Sequence, residues 1–112
     1  SGDKDMKAFT PFGNSTLIAA STTSSNAVQV LGGDQDRVCR VYNSGTVPVL
    51  VRFGGSATEA PAAVYPTAGN PQEGVVIPPG GVELFETEAN PYARVITGTG
   101  SADVILSMGR GQ

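Results

Sequence analysis

A chain of 112 residues has enough surface to bury one core and too little for two. A net charge of -3, no histidine and a single cysteine exclude a general nucleic-acid binder with a basic face, imidazole chemistry, an internal disulfide and a CxxC-type zinc site. Hydrophobic residues make up 39% and charged residues only 15%, with Gly 15 and Pro 8, a profile of short strands divided by turns.

Residues 1–14 read as a flexible polar arm ending in PFG. Met6 is expected to be the natural initiator, with SGDKD before it a remnant of expression. Neither a secretion signal nor a membrane span is expected, because LIAA at 17–20 is far shorter than a signal core and no run approaches the ~20 apolar residues of a spanning helix.

Strands are expected at STLIAA (15–20), AVQVL (27–31), RVCRVYN (37–43) and VPVLVRF (47–53), then at GVVI (74–77), VELFET (82–87), YARVIT (92–97) and ADVILS (102–107). Turn-forming clusters GGDQD, NSG, PPGG, ANP and GTGS separate them. In PPGG, Pro79 and Gly80 suit the central positions of a type II turn, since Pro presets φ and Gly accepts the positive φ that follows. Residues 15–112 are therefore expected to form one all-β domain, an antiparallel two-sheet sandwich, jelly-roll-like, of about eight short strands.

Alternation also predicts register. A three-residue hairpin loop at Asn43, Ser44 and Gly45, with Gly45 left-handed, sets Tyr42 opposite Thr46, Val41 opposite Val47 and Cys39 opposite Val49 on an apolar face. Val38, Arg40, Tyr42, Pro48, Leu50 and Arg52 then share the other face, because a slip of one residue would bury Arg40 without a partner. A second hairpin across GTGS sets Val95 opposite Val104 and Ala93 opposite Leu106, leaving Tyr92, Arg94, Ile96, Asp103 and Ile105 outside. Both outer faces mix aliphatic side chains with arginine, so each is expected to be covered by the arm, by the long loop or by another subunit.

The long loop, GGSATEAPAAVYPTAGNPQEG at 54–74, exceeds the ~12 to 15 residues common for structureless connections and holds one large anchor, Tyr65. Tyr65 either meets a partner or pins the loop to its own sheet. The interface candidates are Arg40, Tyr42, Leu50, Arg52, Tyr65, Arg94 and Ile96; arginine suits such a face because its stem covers apolar surface while its planar head pairs with carboxylates.

Chemistry finds little support, and no catalytic residue, metal or cofactor is expected. Cys39 lacks an imidazole partner and reads as a buried apolar residue. Glu83, Glu86 and Glu88 are clustered but read as a solvated rim rather than a glycosidase pair. Asp34 and Asp36 have calcium-loop spacing without the remaining ligands. GTGSAD precedes a strand where a dinucleotide loop needs a helix.

MKAFTPFGNST, RVCRVYNSGTVPVLVRFGGSA, VVIPPGGVELFE and YARVITGTGSADVILSMGRGQ resemble small β-sandwich virion proteins of tailed bacteriophages and their prophages. The likeness spans residues 6–112 and lies in the style of strands and turns, with no catalytic or ligand motif. It implies a capsid decoration or cement protein, made in the host bacterial cytoplasm and placed on the capsid surface. It would bind the major capsid protein and, as a symmetric homo-oligomer with a trimer favoured, itself; nucleic acid and membrane are not expected partners. The alternative is a carbohydrate-binding or tail-fibre, receptor-binding module.

Overall fold

The computed structural model of the protein describes residues 9–30, 37–54, 62–87 and 92–110. Among these the strands are β1 (Thr10–Ala20), β2 (Val28–Gln29), β3 (Arg37–Asn43), β4 (Val49–Gly54), β5 (Val75–Ile77), β6 (Val82–Glu86), β7 (Tyr92–Thr97) and β8 (Ala102–Arg110). The turns GGDQD and ANP, and with them Asp34, Asp36 and Glu88, lie outside the described residues. Residues 10–14, expected in the arm, form the first part of β1, whose Thr10 and Pro11 lie opposite Arg110 and Gly109 of β8.

The strands form two antiparallel sheets, ordered β1-β8-β3-β6 and β2-β7-β4-β5. Every connection crosses between sheets except the one from β4 to β5, which is jelly-roll connectivity. Strands with one apolar face produce this arrangement, because two sheets must close over each other to remove those faces from water. The core draws on alternate residues: Ile18 and Ala20 from β1, Cys39 and Val41 from β3, Val49 and Val51 from β4, Ala93 and Val95 from β7, and Ala102, Val104, Leu106 and Met108 from β8. Phe53 of β4 and Phe85 of β6 meet between the sheets, with ring centroids 5.1 Å apart.

Both expected hairpins are overturned, although the faces assigned to their residues hold. β3 pairs with β6 and β8, and β4 with β5 and β7, so β3 and β4 share no ladder. Likewise β7 and β8 lie in different sheets. Cys39, Val41, Val49, Val95, Val104 and Leu106 are all buried, but the two strands of each expected hairpin contribute them from opposite sheets. A period-2 pattern fixes which side of a strand is apolar and is silent on which strand lies beside it.

The PPGG turn forms as expected. Gly80 has φ 75° and the Gly81 N–H donates to the Pro78 carbonyl at 2.8 Å, closing a type II turn. That turn docks on the end of β3: the Gly80 N–H donates to the Asn43 carbonyl at 2.8 Å, and the Asn43 N–H to the Gly81 carbonyl at 3.0 Å. The fully buried Asn43 side chain extends the junction, its Nδ2 donating to the carbonyls of Val47 at 2.8 Å and Ile77 at 3.0 Å, while its Oδ1 accepts from the Gly45 N–H at 3.0 Å. One side chain therefore ties β3, the crossing loop and the end of β5 together.

Candidate interaction surface

The two outer faces have opposite fates. On β2-β7-β4-β5, Leu50 pairs with Ile96 and Arg52 with Arg94, all four pointing away from the core. Leu50 and Ile96 are nevertheless buried, because Ala63 and Tyr65 of the long loop pack over them. The loop is fastened where the Ala63 N–H donates to Ser24 Oγ at 2.8 Å, and the Tyr65 ring lies so close to Gly98 that a Cβ there would stand 2.8 Å from it. Tyr65 thus pins the loop to its own sheet.

The arginines of this face are also engaged within the chain. Arg52 Nη2 meets Glu73 Oε1 at 2.5 Å, and Arg94 Nε donates to the Ser25 carbonyl at 2.9 Å. Glu73 is 80% exposed, so the first pair contributes at most about 1 kcal/mol. Of the expected interface candidates, Leu50 and Ile96 are withdrawn from any outside partner by burial, while Arg52, Tyr65 and Arg94 hold the chain's own covering segment. Tyr65→Ala is expected to lower stability by about 1–2 kcal/mol and to speed proteolysis within residues 62–74, since the clasp over Leu50 is lost. Denaturant unfolding and limited proteolysis check this; unchanged cleavage would show that Tyr65 does not hold the loop.

On β1-β8-β3-β6 the outer face is covered at one end, where the Phe9 ring lies against Gly109 beside the buried Val38; among the described residues nothing covers the rest. One row across all four strands is apolar: Leu17, Ile105, Tyr42 and Val82 are successive cross-strand neighbours. The next row is Ser15, Ser107, Arg40 and Leu84, with Ser15 and Ser107 joined through their hydroxyls at 2.8 Å. The Arg40 guanidinium carbon stands 6.0 Å from the Tyr42 ring centroid, a loose cation–π contact. Leu17, Val82 and Leu84 are 58%, 41% and 51% exposed, which in a chain this small leaves a connected apolar band facing water.

Arg40 and Tyr42 therefore sit on this open face, apart from the other candidates. Leu17, Val82 and Leu84 were not singled out from the sequence. In VELFE alternation by itself would bury Val82 and Leu84, yet both are exposed. Cys39 pairs with Phe85, so Phe85 points inward and its neighbours outward. Glu83 shares the inner side with its partner Val41 but remains exposed at the sheet edge. A charge in that position discourages another strand from adding to β6.

Cys39 is fully buried and desolvation pushes its thiol up to about 12, so the nucleophilic thiolate is suppressed. Glu83 and Glu86 are exposed on β6, and no group of three or more metal-ligating side chains occurs among the described residues.

No family model matches the sequence, and no curated protein matches it. Among solved structures, the chain is similar to a protein of Bacillus endospore appendages, described as forming a novel family of disulfide-linked pili. The identity is 14% and the TM-score 0.49, over 93% of this chain and 90% of that one.

Proposed function

We propose that the protein is a non-enzymatic virion component, a decoration or cement protein of the tailed-bacteriophage type that adds to the capsid shell and works through surface contact. The observation that carries this reading is the exposed apolar band on β1-β8-β3-β6, in a sandwich that uses its own loop to cover the equivalent face of the other sheet. A rigid two-sheet body with its cysteine locked in the core presents shape and adhesion rather than a reacting group. Weak contacts suffice for such a role, because many copies on one particle multiply the effect of each.

The wild-type protein is expected to co-sediment with phage heads that lack it. Leu17→Glu/Leu84→Glu changes two exposed side chains, so it should unfold within about 1 kcal/mol of wild type and yet stay in the supernatant. Equal sedimentation of the variant would remove this face from the attachment. Absence of head binding together with saccharide-dependent thermal stabilisation would favour the carbohydrate-binding alternative.

A further inference from the structure

The open face carries its own complement. Tyr42 of β3 and Ile105 of β8 are cross-strand partners in the apolar row, and the strands run antiparallel. Two residues back along β3 is Arg40; two residues back along β8 is Asp103, so the two lie on opposite sides of the row. Asp103 points outward between the buried Ala102 and Val104 and is exposed. From a rise of ~3.3 Å per residue and a strand spacing of ~4.8 Å, Arg40 and Asp103 are about 14 Å apart, too far to pair within one chain. Among the described residues neither has an ion-pair partner.

We propose that this face packs against the same face of a second copy, about a two-fold axis running along the row Leu17, Ile105, Tyr42, Val82. Such an axis lays each apolar row on its counterpart and exchanges the two sides of the face. Arg40 of each copy then stands one strand spacing, ~4.8 Å, to the side of Asp103 of the other, within side-chain reach of two symmetric ion pairs. The strands of the two copies stay close to aligned, the usual arrangement for stacked sheets. Closed two-fold pairing through one self-complementary patch is also the commonest form of homo-oligomer. This replaces the trimer expected from the resemblance.

The predicted strength is modest. Four strands of about seven residues give a projected footprint of roughly 450 Å² per copy, below the ~800 Å² per partner of a standard stable interface. A weak dimer that dissociates in the micromolar range is expected, and because the same face makes the proposed head contact, self-association and head attachment compete. The inference rests on the reading of the protein as a contact-making body, but it concerns the free protein and is tested without a particle.

Sedimentation equilibrium of the purified protein is expected to show 11.4 kDa at low concentration rising to twice that mass. Arg40→Asp and Asp103→Arg should each weaken self-association at least tenfold, since each brings like charges together. Arg40→Asp/Asp103→Arg should return it to within threefold of wild type. Circular dichroism confirms folding, and Leu17→Glu provides a second disruption remote from the ion pairs. A monomer at every concentration, a trimer, or a double reversal no better than the single ones would overturn the proposal. A monomer that still binds heads would overturn this inference alone; a dimer that ignores heads would overturn only the virion assignment.

Discussion

Asn43→Leu is expected to lower the stability of the protein by about 3–5 kcal/mol, a large share of the ~5–15 kcal/mol available to a domain of this kind. Leucine matches the volume but leaves the carbonyls of Val47 and Ile77 without the donor they share, and the Gly45 N–H without its acceptor. Each buried orphan forfeits its hydration for about 1–3 kcal/mol. Asn43→Asp should lose nearly as much, because a carboxylate accepts from Gly45 but has no proton for the two carbonyls. At ~4–8 °C per kcal/mol, the melting temperature should fall by about 12–40 °C. Cys39 gives an independent readout: its buried thiol reacts only when the sandwich opens, so labelling should accelerate in step with the lost stability. A variant that melts within 3 °C of wild type would show that Asn43 does not join the sheets.

Gly45→Val is expected to cost about 3 kcal/mol through overpacking. Gly45 does not have the left-handed conformation expected of it; the positive-φ glycines described are Gly69, Gly74, Gly80 and Gly100. Its constraint is space, since a Cβ at this position would overlap the Cβ of Ala102 and stand 2.8 Å from the Ala102 Cα. The crossing loop lies directly against the start of β8, where the Ser44 N–H and hydroxyl donate to the Asp103 carbonyl at 3.0 and 2.9 Å. Ala102→Gly removes part of the obstacle, so Gly45→Val/Ala102→Gly should be at least about 1 kcal/mol more stable than the two single losses added together. Strict additivity in urea unfolding would mean that the two residues do not share this space.

Both expectations concern the end of the sandwich where β3, the PPGG turn and β8 converge. The junction also sets the register of β6, since the Asn43 N–H binds the Gly81 carbonyl immediately before that strand begins. With Gly81 fixed there, Tyr42 lies opposite Val82 and Arg40 opposite Leu84, which turns both aliphatic residues outward. The β6 part of the exposed band, Val82 and Leu84, is therefore a consequence of one buried asparagine and one turn. Weakening that junction should disturb attachment as well as stability.

Several features are local and were legible in the sequence. Strand positions follow from short apolar runs between Gly, Pro and Asn clusters, and the observed strands overlap those runs, with β1 starting earlier, at Thr10, and β8 running on to Arg110. The inner faces of β3, β4, β7 and β8 follow from alternation, which is why Cys39, Val41, Val49, Val95, Val104 and Leu106 are all in the core. The type II turn at Pro79 and Gly80 follows from the φ preferences of those two residues. Pairing is different in kind. An inward valine makes the same apolar contact with a ladder neighbour ~4.8 Å away or with the opposing sheet ~10 Å away, so alternation permits both a hairpin and a crossing. Only closure of the whole chain, with β8 between β1 and β3 and β7 between β2 and β4, selected the crossing. The same closure decided that Leu50 lies beneath Tyr65 while Leu17 and Leu84 face water, because cover depends on where a loop returns in space.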